Sequence, residues 1–367
     1  MQKITQPPAP KTIVLTGGGT AGHVLPHFAL LPHIEKHFDR IIYAGRTHGI
    51  ERDLIEKHNT TAHTEIKYHG ITAVKLRRSF DLRNLSIPFK LIKGMSEAKT
   101  LLKQIKPDIV FSKGGFVAYP VVRAAARLKI PVIAHESDMT MGLANRLSAK
   151  HCTKICTTFE QTARTNSKTS KFIHTGSPIR AGIYNGNAAA VAHDNLTAEK
   201  RNLLITGGSQ GAQNINNAIL SALNELLPIY NIIHICGKGK KRDVNSPLNY
   251  IQLEYADNIG DYFAWADIVV SRAGSNALCE LIALGKPTLF IPLSRAASRG
   301  DQIQNADFVK SKNAAEVLPE ENLTPETLLS AINKVYQNRQ TYIKNAAKLS
   351  LDGTAKIANI IKVTNNR

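Results

Sequence analysis

Short apolar runs alternate along the chain with longer stretches whose apolar residues recur at helical spacing, a pattern typical of parallel α/β units. The short runs predict strands at Thr12–Thr16, Arg40–Ala44, Asp108–Ser112, Pro131–His135, Asn202–Thr206, Asn231–Cys236, Asp267–Ser271 and Thr288–Ile291. The longer stretches predict helices at Val24–His37, Val117–Leu128, Asn214–Leu227 and Asn276–Leu284. A further helical region is expected to open at Thr324-Pro325, where a capping residue precedes proline.

A weak internal repeat divides the sequence in two. Leu15-Thr16-Gly17-Gly18 reappears as Ile205-Thr206-Gly207-Gly208, each time between an apolar strand and a helix. This repetition predicts two doubly wound domains, with a boundary near Gly176-Ser177-Pro178 and a polar surface segment at Asn185–Lys200. Ligands of such proteins bind at the carboxyl ends of the strands, so we expect a site in a cleft between the domains.

The first glycine loop, Gly17 to Gly22, matches the dinucleotide-binding pattern G-x-G-x-x-G. The second predicted strand ends Tyr43-Ala44-Gly45-Arg46 without the acid that would hold a ribose, which argues against a nicotinamide cofactor. Two interpretations of this loop stay open, a phosphate-binding loop and a tight turn that binds nothing.

His23 follows the loop at the start of a predicted helix, where the positive end of the helix dipole disfavours imidazolium. This position suits a general base, and the alternative is a histidine that only bonds a neighbouring loop.

The second glycine loop, Gly207 to Ala212, offers backbone amides and the Ser209 hydroxyl at another predicted helix start. An anion contact and a capping role for Ser209 are both compatible with this position. The first five residues also spell the hydrolase pattern G-x-S-x-G, which requires a later acid and then a histidine. Only His234 follows, in the middle of a predicted strand, so a hydrolase is disfavoured.

The segment from Ser271 to Glu280 is the third candidate for ligand binding. Small residues from Ala273 to Asn276 open a predicted helix whose first amides suit a diphosphate. Glu280 lies about one turn further on, where its carboxylate can accept two ribose hydroxyls; the alternative is a surface-facing side chain. Further along, Asp301 and Gln302 offer a carboxylate and an amide suited to sugar hydroxyls.

Composition narrows the function classes. The chain has 367 residues, which suits two domains, and its 43% apolar content excludes a disordered or collagen-like protein. No apolar run reaches the roughly 18 residues that span a bilayer, and no secretory signal opens the sequence, so we expect a cytoplasmic location. The 47 basic and 28 acidic residues give a net charge of +19, compatible with nucleic acid, an anionic membrane or phosphorylated substrates.

The sequence offers no evident metal site. It contains no Asp-x-Asp motif, so we expect helix N-termini and cationic side chains, not a divalent metal, to meet the charge of a leaving diphosphate. The absence of G-x-x-x-x-G-K-[ST] argues against a P-loop kinase or ATPase. Of the four cysteines, Cys152 and Cys156 have the spacing of one helix face, and all four are expected to be buried reduced thiols.

Apolar and basic residues are interleaved between Ile71 and Lys93, where Asp81 is the only acidic residue. This mixture is typical of a surface that inserts shallowly into an anionic bilayer interface. An ordinary core helix with a solvated basic face is the alternative.

Taken together, these motifs resemble those of the MurG family, bacterial enzymes that transfer N-acetylglucosamine from its UDP donor to lipid I, an undecaprenyl-diphosphate-linked N-acetylmuramyl pentapeptide, and so form lipid II. The resemblance extends over nearly the whole chain and rests on Gly18–Pro26, Lys113–Phe116, His135–Asp138, Thr175–Arg180, Gly207–Ala212 and Ser271–Glu280.

The resemblance implies the GT-B fold, with two Rossmann-like domains facing a cleft. It implies an N-terminal domain at residues 1–176 on the lipid acceptor side, a donor-binding domain at 177–345 and a C-terminal helix at 346–367 returning to the first domain. It also implies contacts of Arg180 and Ser209 with the donor and of Gln302 with the sugar. The diphosphate and ribose are assigned to Ser275, Asn276, Ala277, Leu278 and Glu280. Thr20, Ala21 and Gly22 are placed near the reacting centre.

The expected reaction is an inverting displacement in peptidoglycan synthesis, with His23 as the base and no cofactor besides the donor substrate UDP-N-acetylglucosamine. The expected partners are lipid I, an anionic membrane surface at the cytoplasmic side of the cell membrane and other cell-wall synthesis proteins. A UDP-N-acetylglucosamine 2-epimerase shares the fold and is the rival enzyme. A nucleic-acid binder is disfavoured because aromatic residues make up only 6% of the chain and no recognisable module is present.

Overall fold

The computed structural model describes residues 10–62, 64–75, 86–166, 169–191, 196–208, 211–244, 249–296 and 298–365. The described chain forms two compact units. The first unit contains the residues up to Ser137, Met141–Pro178 and those from Gly353 onward, and the second contains Asp138–Thr140 and Ile179–Asp352.

The first unit is built on a parallel sheet of seven described strands in the order β3-β2-β1-β4-β5-β6-β7. The strands are β1 Thr12–Thr16, β2 Arg40–Arg46, β3 Ile66–Ile71, β4 Ile109–Ser112, β5 Val132–Glu136, β6 Lys154–Thr157 and β7 Phe172–His174. The helices between them are α1 Leu25–Ile34, α2 Ile50–Asn59, α3 Ile87–Ile105, α4 Ala118–Arg127, α5 Leu143–Ser148 and α6 Glu160–Thr165.

The central strand β1 shows why these residues form a two-sided sheet. All five of its residues are buried, and successive side chains point to opposite faces. Ile13 and Leu15 belong to one apolar cluster, and Val14 belongs to another on the opposite face. A strand covered by helices on both faces carries a continuous apolar run, as observed here.

The second unit is built on a parallel sheet of six described strands in the order β10-β9-β8-β11-β12-β13. The strands are β8 Arg201–Thr206, β9 Tyr230–Ile235, β10 Tyr250–Leu253, β11 Ile268–Ser271, β12 Thr288–Phe290 and β13 Glu316–Val317. The helices are α7 Gln213–Ser221, α8 Leu223–Leu226, α9 Ile259–Trp265, α10 Ser275–Ala283, α11 Asp301–Ser311, α12 Pro325–Gln337 and α13 Arg339–Ala346.

The chain then returns to the first unit as α14, Thr354–Asn365. Ile357, Ala358 and Ile361 are buried in the same apolar cluster as Ile13 and Leu15 of β1. The first unit therefore contains two segments that are far apart in sequence.

The predicted α/β class and the eight predicted strands are confirmed, each strand within two residues of its expected bounds. The predicted start of a helix at Thr324 is confirmed as well, because its side chain accepts a hydrogen bond from the Thr327 amide and a capping box forms. Two helix predictions were too long. The helix predicted at Val24–His37 ends at Ile34, and the helix predicted at Asn214–Leu227 is interrupted at Ala222, whose ψ of 9° is not helical.

The proposed helix face shared by Cys152 and Cys156 is wrong, because Cys152 follows a 3-10 turn and Cys156 lies in β6. The expectation of buried, reduced thiols is confirmed for all four cysteines. Burial raises the pKa of both Cys152 and Cys156 to about 12, so these thiols stay protonated at neutral pH.

Candidate active site

The first glycine loop connects β1 to α1 and is held in place by a buried carboxylate. Gly19 has a φ of +90°, and its amide donates to Oε1 of Glu51 at 2.8 Å. A Cβ atom on Gly18 would lie only 1.9 Å from the same oxygen, so a larger residue there would displace the carboxylate. Glu51 was not among the predicted site residues, because the polar helix α2 that contains it was not predicted from the sequence.

His23 ends a 3-10 turn formed by Ala21–His23, two residues before α1 begins at Leu25. The imidazole Nδ1 lies 2.9 Å from the Thr20 hydroxyl oxygen, and the His23 amide donates to the Thr20 carbonyl at 3.1 Å. Two of the predicted site residues, Thr20 and His23, are therefore in direct contact. Thr20 is exposed and His23 is half-buried, so this pair is accessible to a ligand.

A buried lysine lies at the carboxyl end of β4, next to the glycine loop. Lys113 Nζ lies 2.8 Å from His135 Nδ1 and also donates to the Ser137 hydroxyl. His135 Nε2 lies 2.9 Å from the Gly176 carbonyl oxygen, which can only accept, so Nε2 carries the ring hydrogen and Nδ1 accepts from Lys113. Burial holds the pKa of His135 well below its usual range, and the positive charge of Lys113 lowers this pKa further. The motifs beginning at Lys113 and His135 thus form one hydrogen-bonded group.

In the second unit, the glycine loop after β8 contains two backbone conformations that favour glycine. Gly208 has a φ of +80° and Gly211 a φ of +68°, and a Cβ atom on Gly211 would lie 2.0 Å from the Cys236 carbonyl oxygen. The N-cap of α7, Ala212, provides no side-chain cap. Ser209, predicted to contact the donor, lies outside the described residues.

Helix α10 begins at Ser275, after the short loop that follows β11, and its N-cap is Gly274, which provides no side-chain cap. A Cβ atom at Gly274 would meet no atom within 4 Å, so the space beside this helix start is open. The predicted residues Ser275, Asn276 and Ala277 are half-buried in the first turn, whereas Leu278 is fully buried. Only the backbone of Leu278 is therefore in a position to contact a ligand.

Arg180 and Glu280 are brought together although they are distant in sequence. Nε and Nη2 of Arg180 lie 3.2 and 3.1 Å from Oε1 of Glu280. The side chains are 33% and 13% exposed, so the alternative of a surface-facing Glu280 is wrong. Burial raises the pKa of Glu280 above its usual value, and the positive charge of Arg180 acts in the opposite direction. Both hydrogen bonds end on Oε1, so Oε2 is the oxygen suited to accept from a ligand.

Gln302 is the second residue of α11, after Gly300 with a φ of +84°. Its Oε1 accepts a hydrogen bond from the Leu293 amide at 3.0 Å, which leaves the amide nitrogen as the group suited to donate to a sugar hydroxyl. Asp301 Oδ1 lies 3.4 Å from Arg299 Nε, so these two residues, which are two positions apart in sequence, form an ion pair.

One alternative, the hydrolase, is weakened by the structure. His234 is buried in β9, where its ring nitrogens bond Tyr250 and Asn216 at 2.9 Å each, so it does not serve a nucleophile elbow. Among the described residues, no group of three or more His, Cys, Asp or Glu side chains is placed to hold a metal ion.

Helix α3 exposes large apolar side chains in its first turns. Phe89 is 76% exposed and Ile92 is 62% exposed, with Lys90 and Lys93 beside them in sequence and also exposed. The buried residues of this helix are Gly94, Ala98 and Leu102, so its later turns pack against the protein. The alternative of an ordinary core helix does not fit these first turns, because large apolar side chains are exposed there. Residues 76–85 of the predicted stretch lie outside the described chain. Within the described chain, no helix has the length and apolarity to cross a membrane.

Both units match known sequence domains. Residues 13–157 match the glycosyltransferase family 28 N-terminal domain, and residues 202–362 match the glycosyltransferase family 28 C-terminal domain. Together with the two parallel sheets, these domain matches identify a glycosyltransferase of the GT-B class, as expected from the sequence.

A Lachnospira eligens protein named UDP-N-acetylglucosamine–N-acetylmuramyl-(pentapeptide) pyrophosphoryl-undecaprenol N-acetylglucosamine transferase is 49% identical over 96% of this chain and 99% of its own length. The crystal structure of Acinetobacter baumannii MurG is similar with a TM-score of 0.74 and 26% identity, covering 96% of this chain and all of that one. A UDP-GlcNAc 2-epimerase from Neisseria meningitidis, at 16% identity and a TM-score of 0.67, covers 96% of this chain and 99% of its own and shares the fold alone. The chain belongs to the MurG family of N-acetylglucosamine transferases.

Proposed function

We propose that this protein transfers N-acetylglucosamine from UDP-N-acetylglucosamine to the muramoyl hydroxyl of the undecaprenyl-diphosphate-linked N-acetylmuramyl pentapeptide, a step of peptidoglycan synthesis. Family membership supports this reaction, because the Lachnospira eligens relative carries it in its name. The observation on which the proposal depends is the open, uncapped start of α10 with the Arg180–Glu280 pair one turn away.

The start of α10 suits the donor diphosphate. The first amides of a helix carry partial positive charge and point outward, and the glycine N-cap leaves room for phosphate oxygens. Ser275, Asn276, Ala277 and the backbone of Leu278 line this position. Glu280 accepts the ribose hydroxyls through Oε2 in this proposal, while Arg180 orients its carboxylate and adds positive charge near the diphosphate.

The sugar and the second loop complete the donor site. Gln302 is oriented by the Leu293 amide and donates to a hydroxyl of N-acetylglucosamine. Ser209 keeps the donor contact implied by the family resemblance, without a structural argument of its own. No cofactor is assigned, which stays a prediction.

His23 is the proposed general base. The muramoyl oxygen attacks the anomeric carbon of the donor, its proton passes to His23, and the bond from that carbon to the β-phosphate oxygen breaks with its electron pair leaving on UDP. A base that accepts on Nε2 must carry its other hydrogen on Nδ1, which then donates to the Thr20 hydroxyl at 2.9 Å. Thr20 therefore orients the base, and Ala21 and Gly22 form the turn between them.

We also propose that the first turns of α3 bind the cytoplasmic surface of the cell membrane. Phe89 and Ile92 offer apolar area for the interface, and Lys90 and Lys93 offer charge for anionic headgroups. The net charge of +19 acts in the same direction. Association with other cell-wall synthesis proteins stays a prediction.

The test is an assay of UDP release from UDP-N-acetylglucosamine with and without a lipid I analogue. Transfer requires that UDP appears only with the acceptor and that the product contains one added N-acetylglucosamine by mass spectrometry. UDP release without acceptor, together with the 2-epimer, would instead establish the epimerase. If neither product forms while a positive-control enzyme is active in the same assay, both the transferase and the epimerase activity are refuted.

A further inference from the structure

Glu320 starts a 3-10 turn, Glu320–Asn322, shortly after β13, and its side chain is only 6% exposed. Its carboxylate accepts three hydrogen bonds. Asn214 Nδ2 donates to Oε1 at 3.0 Å, the Ser294 amide donates to Oε2 at 3.0 Å, and Arg272 Nη2 donates to Oε1. A carboxylate with this many donors in a buried place has a defined orientation.

The three donors follow three different strands of the sheet. Asn214 lies in the first turn of α7 after β8, Arg272 follows β11 directly, and Ser294 follows β12. Strands β8, β11, β12 and β13 are consecutive neighbours in the sheet and run parallel, so their carboxyl ends lie at one edge. Glu320 itself follows β13, and its hydrogen bonds connect it at that edge to the segments that follow the other three strands.

Arg272 is enclosed in this network. Its Nη1 donates to the Ile291 carbonyl at 3.1 Å, and its side chain is 10% exposed. The guanidinium therefore links the start of the β11–α10 loop to the end of β12, with Glu320 as its counter-charge. A buried cation that loses the carboxylate paired with it is costly, so the arrangement depends on Glu320.

The joined loops are those assigned to the donor. The loop after β8 contains Ser209, the loop after β11 leads into the Ser275–Glu280 segment, and the loop after β12 leads to Gln302. The adjacent amides of Leu293 and Ser294 are held by Gln302 and Glu320 respectively. We propose that Glu320 is a positioning residue for the donor, fixing these three loops relative to one another without touching the substrate.

This inference rests on the donor site of the proposed function, and the experiment separates the two. UDP and UDP-N-acetylglucosamine are titrated calorimetrically into the full-length protein and its Glu320→Gln, Glu320→Ala and Asn214→Ala variants. Glu321→Gln is the matched control, because this exposed carboxylate belongs to the same turn. Each variant is assayed well below its own unfolding midpoint, and KM is measured separately for donor and acceptor.

We expect Glu320→Ala to weaken binding of UDP and to raise the donor KM by about tenfold to hundredfold, since small displacements of binding groups have effects of this size. The acceptor KM should stay constant. Glu320→Gln, which keeps the shape and part of the hydrogen bonding, and Asn214→Ala, which frees only the loop after β8, should fall between Glu320→Ala and the wild type.

A lower melting temperature with unchanged UDP affinity in the folded variants would overturn the inference and leave Glu320 a stability residue. An equal loss in Glu321→Gln would overturn it too, because a general charge effect would then account for the result. If Glu320→Ala does not fold, Glu320→Gln and Asn214→Ala decide the question. Failure of the wild type to bind UDP would refute the proposed donor site itself.

Discussion

Arg180 and Glu280 form an ion pair across 100 positions of sequence, with Arg180 Nη2 3.1 Å from Glu280 Oε1. The pair connects the segment that enters the second unit to the middle of α10. In the proposed donor site, a carboxylate already oriented in this way would bind hydroxyl donors with a smaller cost of ordering.

Glu280→Ala should remove the preference of the protein for a ribonucleotide. The wild type is expected to bind UDP about tenfold to hundredfold more tightly than 2′-deoxy-UDP, because hydrogen bonds to a charged acceptor are strong. The variant should bind both nucleotides weakly and almost equally, as measured by calorimetry. Glu225→Ala, at an exposed position of α8, is the control. An intact preference for UDP in Glu280→Ala would exclude the ribose contact.

His23→Ala should lower kcat by about 10²- to 10⁴-fold and leave the affinity for UDP-N-acetylglucosamine nearly unchanged, because a base acts on the acceptor proton in the transition state. Thr20→Val should lower kcat by about tenfold through loss of the hydrogen bond that orients the ring. His33→Ala, an exposed histidine on α1, should behave as the wild type. Wild-type turnover in His23→Ala would assign the base elsewhere.

Replacing Phe89 and Ile92 together by serine should lower binding to vesicles that contain anionic phospholipid by about tenfold or more, since each side chain contributes burial of apolar area. High salt should weaken binding of the wild type as well, because the lysines contribute through screened charge. Sedimentation with vesicles measures both effects. Val363→Ser removes an exposed apolar side chain from α14 and should have no effect; equal loss there would argue against a surface at α3.

Stability should fall as the pH is lowered through the range in which histidines protonate. His27 is fully buried beside Tyr43 and Phe111, and burial above all, against the hydrogen bond to Val24, lowers its pKa from 6.5 to about 3. Between these two pKa values the His27 side chain is therefore protonated in the unfolded chain but neutral in the folded protein. The stabilisation is fully present above pH 6.5 and is lost progressively as the pH falls towards 3.

Between pH 6.5 and pH 5 this residue alone should reduce the free energy of unfolding by about 2 kcal/mol, as followed by urea denaturation at several pH values. In His27→Gln the slope of stability against pH should be shallower, whatever the absolute stability of that variant. His33→Gln keeps the buried histidine and should keep the slope. Equal slopes in His27→Gln and the wild type would contradict the assignment.

The sequence pattern predicted most of the interior strands because their side chains are buried on both faces, although the interior strand β6 was missed. Thr12–Thr16 is such a strand, and its bounds agree with the prediction. The edge strand β3 was missed because its sequence, Ile66 to Ile71, places lysine, tyrosine and histidine between two buried isoleucines. Burial of one end or one face gives a weaker signal than burial of a whole run.

The sequence indicated the candidate loops one by one but not the contacts between their residues. Glycine loops and helix starts are local features, so Gly17–Gly22 and Ser275–Glu280 could be recognised from spacing. The contacts of Glu280 with Arg180 and of Glu320 with Arg272 depend on which strands are neighbours in the sheet, and no local pattern carries that information. In sequence, Pro319-Glu320-Glu321-Asn322 resembles an ordinary polar surface turn.

The return of α14 to the first unit has a consequence for synthesis of the protein. Because Ile357 and Ile361 lie in the same apolar cluster as Ile13, the hydrophobic core of the first unit stays incomplete until residues 354–365 have left the ribosome. The second unit has no such requirement, since its continuous segment Ile179–Asp352 is made earlier. The part of this cluster that α14 covers should therefore stay exposed on the nascent first unit while the whole second unit is being made, which makes it a candidate surface for chaperones.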